Sequence, residues 1–139
     1  MTMRTTGMTT TTDPPTTDTI VSVPITSTIE VTASYVQDIY TTAIEGGVNY
    51  WADIESYQWN DDKPAEFKAV LLDIEEGWGG TPVKYHVDLA VMMKGLTRYA
   101  ETYGVARLAS LLDPDFGDYD AIDADMIVQF GIFGKVVYG

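Results

Sequence analysis

VNYWADIESYQWNDDKPAEFKAVLLDI, residues 48–74, is the stretch whose reading decides the fold. Val48 to Trp59 reads as a strand, with Tyr50, Ala52 and Ile54 on one side and Trp51, Tyr57 and Trp59 on the other, because side chains alternate across a pleated chain. Aromatics on both sides predict that both are buried. The polar run Asn60, Asp61, Asp62, Lys63, Pro64 is turn chemistry. Phe67 to Ile74 follows as a second strand, expected to pair antiparallel with the first in a hairpin.

Upstream of the hairpin, Thr32 offers an N-cap, and Val36, Ile39, Tyr40, Ala43 and Ile44 recur at helical spacing. Gly46 and Gly47 then provide a left-handed stop, giving a helix of about 13 residues. Before it, Val21, Val23, Ile25, Ile29 and Val31 share one parity, interrupted by Pro24, which predicts an edge strand. Residues 1–19 hold ten Thr with Pro14 and Pro15, too little apolar content to offset ordering entropy, and are expected to form a flexible Thr-rich N-terminal tail. Nothing in the tail has the h-region of a secretory signal.

Downstream, Gly77, Trp78, Gly79, Gly80, Thr81 and Pro82 read as a connector, and Val83, Tyr85 and Val87 as a short third strand. Asp88 caps a helix whose Leu89, Met92, Met93, Leu96, Tyr99, Ala100 and Tyr103 keep one apolar stripe up to Gly104. Val105 to Leu112 is a shorter helix, stopped by Asp113 and Pro114. Asp120 or Asp123 caps a last helix through Phe133, in which Gly131 and Gly134 lower the intrinsic stability. Val136, Val137 and Tyr138 either extend it or add a strand. The expected fold is α+β: a small antiparallel sheet of three to four strands with a central hairpin, packed against three helices. One domain, residues 20–139, stands behind the 1–19 tail.

The charge balance excludes function classes. Across 139 residues there are 8 basic and 21 acidic side chains, a net charge of −13. Lys63, Lys68, Lys84, Lys94, Arg98, Arg107 and Lys135 are scattered singly among carboxylates, so direct nucleic-acid binding and docking on anionic membranes are not expected. No window nears the roughly 18 apolar residues of a bilayer span. The chain has no cysteine, which removes disulfides, thiolate zinc sites and cysteine nucleophiles. A cytoplasmic protein without cofactor or metal is expected.

Candidate chemistry is sparse. His86 is the only histidine, so triads and multi-histidine metal sites cannot form; it reads as a partly buried strand residue. The run Asp113, Asp115, Asp118, Asp120, Asp123, Asp125 fails the calcium-loop pattern, because a loop begun at Asp113 puts Asp118 where Gly is required and Ala124 where a bidentate Glu is required. It reads as helix capping plus a solvated acidic loop. Glu45 ahead of a hairpin bearing Asp53 and Glu55 has the order of small lysozymes, but enzymes that act on anionic cell walls are usually basic. Gly77, Gly79 and Gly80 lack the spacing and Lys of a phosphate loop.

The segments EGGVNYW at 45–51 and DADMIVQFGIFGKVVYG at 123–139 resemble a group of small uncharacterised proteins of actinobacterial phages and of actinomycete prophages and plasmids. The resemblance implies a mobile-element origin and no catalytic residue. The expected function is that of a non-enzymatic, phage-type accessory protein that binds a host or defence macromolecule, its sharper form being an acidic nucleic-acid mimic. A small-ligand protein that sequesters a nucleotide is one alternative, and a virion or assembly component is another. Tyr50, Trp51, Tyr57, Trp59 and Trp78 are the candidate ligand- or partner-binding residues, with Lys68, Lys84 or Arg98 to meet a phosphate. A homodimer is expected from an exposed patch drawn from Tyr57, Trp59, Trp78, Phe133 and Tyr138.

Overall fold

The computed structural model describes residues 19–22, 27–74, 82–115 and 117–139. The Thr-rich stretch to residue 18, Val23 to Ile25, and the glycine connector with Trp78 lie outside the described residues. The chain runs α1 (Ala33–Thr42), a π-helical turn (Ala43–Gly47), β1 (Ala52–Gln58), β2 (Lys68–Asp73), β3 (Val83–Asp88), α2 (Leu89–Tyr103), α3 (Val105–Leu111) and α4 (Ala121–Phe133). The fold is α+β, with a three-stranded sheet in the order β1-β2-β3, antiparallel throughout.

Capping follows the sequence. Thr32 accepts from the Tyr35 amide, Asp88 from that of Val91, and Asp120 from that of Asp123, whose own side chain accepts in return from the Asp120 amide. Each capping oxygen satisfies a helix-end amide that has no intrahelical partner. Gly134 stops α4 in the left-handed region, at φ 75°.

Gly46 and Gly47 are not a left-handed stop. Neither has a positive φ, and α1 instead widens into the π-helical turn. Gly47 is needed for proximity: a Cβ there would lie 2.8 Å from the Ala121 carbonyl oxygen at the start of α4. The expected edge strand over Val21 to Val31 is also absent from the described part, where residues 19–22 and 27–32 run without strand pairing. Ile29 and Val31 pack against the core from an unpaired segment.

β1 corrects the expectation of two buried faces. It starts at Ala52, so Tyr50 and Trp51 sit in the preceding turn. A bulge between Ile54 and Ser56 inserts Glu55, and beyond it the alternation flips. Ala52, Ile54 and Tyr57 therefore share the inner face, opposite Asp73, Leu71 and Ala69 of β2, which in turn pair with Val83, Tyr85 and Val87 of β3. The outer face carries half-buried Val70 and Leu72, and Lys84 reaches Glu55 there at 2.9 Å. His86 is on this outer face and exposed, not partly buried as expected, because it alternates with buried Val87.

One hydrophobic core joins the inner sheet face to all four α-helices. α4 runs through its centre and is buried almost all round, including Asp123, Asp125 and Gln129. α2 packs against it at backbone range. A Cβ on Gly95 would lie 2.0 Å from the Ile127 carbonyl oxygen, and one on Gly131 would lie 2.3 Å from that of Val91. These glycines are close-approach positions, so the view of Gly131 as a mere weakness of the helix is incomplete. Residues 135–139 neither extend α4 nor add a strand. They fold back along the helix and are held by side chains.

Candidate functional site

The aromatic residues singled out in the sequence separate into a buried set and an exposed one. Trp51 is 0% exposed and stacks on Tyr138, with ring centroids 5.2 Å apart and planes at 15°. Its indole N–H donates to Asp125 Oδ1 at 2.8 Å. No face of Trp51 remains for a ligand. Tyr50 has a half-exposed ring, but its hydroxyl turns inward and donates to Asp125 Oδ2 at 2.6 Å. Burial of that hydroxyl, reinforced by the bond to Asp125, pushes its pKa up to about 12.

Gln129, fully buried, completes this polar cluster. Its Nε2 donates towards Asp125 and the Tyr138 carbonyl at 3.1 Å, and its Oε1 accepts from the amides of Val137 and Tyr138 at 2.8 Å. The Tyr138 hydroxyl donates to the buried Asp73 carboxylate at 2.8 Å. Sequence reasoning missed this cluster, reading Asp125 as solvated. The available signal was the i,i+4 pair of Asp125 and Gln129 inside an otherwise apolar helix, since buried polar groups must bond one another. Phe133 and Tyr138 pack with Trp51 and Tyr85 in the same cluster, so they are not part of an exposed patch.

Half-buried Tyr57 and exposed Trp59 form the second set. A ladder of rings leads from the core to the surface: buried Phe67 lies 4.3 Å from Tyr40, Tyr40 lies 5.8 Å from Tyr57, and Tyr57 lies 5.2 Å from Trp59. Trp59 ends the ladder 58% exposed. Its backbone is pinned on both sides, because the Tyr40 hydroxyl donates to the Gln58 carbonyl at 2.7 Å and the Asn60 amide donates to Gln37 Oε1 at 2.6 Å. The Tyr57 hydroxyl donates to Glu45 at 2.9 Å. Burial raises the pKa of both Tyr40 and Tyr57. Asp61 and Asp62 follow Trp59 after the single residue Asn60 and are exposed.

The remaining charged candidates are already engaged or lie apart. Arg98 donates to the Gly134 carbonyl at 3.0 Å and pairs with Glu101. Lys84 is held by Glu55, and Lys68 sits opposite Gln58 at the Trp59 end of the hairpin. Glu45, Asp53 and Glu55 do not share one site: Glu45 holds Tyr57, Glu55 holds Lys84, and Asp53 faces out opposite Leu72. Among the described residues no group of three or more His, Asp and Glu side chains is placed to hold a metal ion. No described helix is long and apolar enough to cross a membrane.

No protein-family model, curated protein or solved structure matches this chain.

Proposed function

We propose that the protein is a non-enzymatic binding protein, of the phage accessory type that the sequence resembles, and that it engages a basic macromolecular partner through Trp59 and the carboxylates around it. The observation that carries this reading is an exposed tryptophan anchored to the core by a run of tilted ring contacts. A large aromatic that is both rigid and uncovered loses little freedom when a partner covers it, which is the profile of an interface hot spot. Glu45, Asp61 and Asp62, within a chain of net charge −13, favour a cationic face, and an Arg side chain would stack on the indole.

The experiment is affinity capture from host lysate with the wild-type chain and with Trp59→Ala, followed by titration calorimetry on the identified partner at several salt concentrations. The expected result is a basic partner whose affinity weakens with salt and falls at least about tenfold in the variant. A partner that binds Trp59→Ala as tightly as wild type, or that is itself acidic at its contact face, would refute the reading.

A further inference from the structure

The two edges of the sheet differ. β1 is broken by the bulge at Glu55, and its charged residues, Asp53 and Glu55, are both acidic. β3 pairs with β2 from Val83 to Asp88 without a register shift. Among the described residues, no hydrogen bond reaches the free edge of β3 between Val83 and Val87, so its outward amides and carbonyls are open to another strand. Lys84 and Asp88 balance each other, which leaves β3 neutral within a chain of net charge −13.

Antiparallel strands related by a two-fold axis through one residue set the residues before it opposite those after it, and opposed residues share a face. About His86, β3 is complementary to itself. Lys84 falls opposite Asp88 of the second copy, and Asp88 opposite its Lys84, all on the exposed outer face. Tyr85 falls opposite Val87 on the inner face, an aromatic and a β-branched side chain that pair favourably. Both charged groups have bonding capacity left. Asp88 Oδ1 accepts from the Val91 amide that it caps, while Oδ2 accepts no bond among the described residues. Lys84 reaches Glu55 at 2.9 Å, but an ammonium has three donors. Two β1 edges opposed in the same way have no cation to set against Asp53 and Glu55.

We propose that β3 is a homodimer interface: two copies pair antiparallel through their β3 edges, with His86 on the two-fold axis, and join their three-stranded sheets into one. The pairing is closed, because each copy has one such edge and both are used. Trp59 follows β1, at the opposite edge, and stays free on each copy.

The chain has no native cysteine, so a single one placed on the axis reads the register. Opposed Cβ atoms of an antiparallel pair lie about 4.5–5.5 Å apart, within disulfide reach after a small movement. His86→Cys is oxidised beside Ser56→Cys, which is also exposed on the outer face and lies in the same cross-strand row on β1. Sedimentation velocity at near-physiological salt compares the wild type with Lys84→Glu, which sets carboxylates opposite each other at both ends of the pair. Lys84 is exposed and its bond to Glu55 is a surface ion pair, so the substitution leaves the fold intact, which a thermal melt verifies. The expected result is a wild-type dimer at about 100 μM, a dissociation constant raised at least about tenfold in Lys84→Glu, and a disulfide-linked dimer of His86→Cys that greatly exceeds that of Ser56→Cys. A wild-type chain that is monomeric at about 100 μM overturns the proposal. So does a dimer indifferent to Lys84→Glu, which puts the interface elsewhere, or a His86→Cys chain that links no faster than the control, which excludes this register.

Discussion

Replacing Gly95 by alanine tests the central packing of the fold. The added methyl would sit 2.0 Å from the Ile127 carbonyl oxygen and 3.0 Å from both the carbonyl carbon and Cγ2 of Ile127. Carbon–oxygen contacts of this kind settle near about 3.3 Å, so α2 and α4 must part by more than about 1 Å at their tightest point. The obstacle is backbone, so a rotamer change cannot relieve it. Overpacking of a core costs about 1–3 kcal/mol, and the upper end applies where helices must move. Alanine returns about 1 kcal/mol of helix propensity over glycine. The net loss is therefore about 2 kcal/mol, which lowers the melting temperature of a domain this size by about 8 °C. The internal control is Gly46→Ala, where a Cβ would meet nothing within 4 Å and the backbone does not require glycine. Its melting temperature should hold or rise by a few degrees. Circular-dichroism melts of the two variants beside wild type decide the matter, and a Gly95→Ala melt indistinguishable from that of Gly46→Ala would refute the reasoning.

Asp125→Asn replaces one of two accepting oxygens with a donor amide, while Trp51, Tyr50 and Gln129 all donate to that side chain; a loss of about 1–3 kcal/mol is expected in urea unfolding followed by tryptophan fluorescence, and an unchanged midpoint would count against the buried cluster. Tyr138→Phe withdraws a donor from the buried Asp73 carboxylate, with about 1.5–3 kcal/mol lost in the same assay and a red-shifted Trp51 emission if the stacked ring also loosens. Alkali should destabilise the protein. The Tyr50 hydroxyl keeps its proton to about pH 12 when folded, and burial also raises Tyr35, Tyr40, Tyr57 and Tyr99, whereas an unfolded tyrosine ionises near about pH 10. Their contribution is thus complete below about pH 10 and is lost as the pH climbs towards about 12. Phenolate absorbance of the folded protein that titrates wholly near pH 10 would contradict this.

The elements legible in the sequence were those set by local chemistry. Thr32, Asp88 and Asp120 mark helix starts because a capping oxygen acts within three residues, and the antiparallel hairpin follows from a polar turn between two apolar runs. What was not legible depended on distant partners. Nothing near Glu55 announces the bulge that brings Tyr57 to the same face as Ile54, and without it the aromatics seem to demand two buried faces. Gly46 and Gly47 have the composition of a helix stop, yet Gly47 is constrained by the carbonyl of Ala121, more than seventy residues away in sequence. At the candidate site, the sequence offers Trp51 and Trp59 alike as candidates, and their contrast came only from the packing. Trp51 precedes β1 in a turn and falls into the core, whereas Trp59 follows the strand and stands clear of it.

The hold of Gln129 and Trp51 on residues 137–138 has a consequence for how the chain reaches its native state. Tyr138 is stacked on Trp51 and bonded to Asp73, contacts that close loops of 65 residues and more. Non-local closures of that kind are paid for in chain entropy before they return any stabilisation, so they form late and slow the approach to the native state. During synthesis, the hairpin and α2 can assemble while the indole of Trp51 still lacks its cover, which arrives only once residue 138 has emerged. Trp51 emission in a stopped-flow refolding trace should therefore lag behind the gain of helical signal, timing the last step of folding from a residue in the first half of the chain.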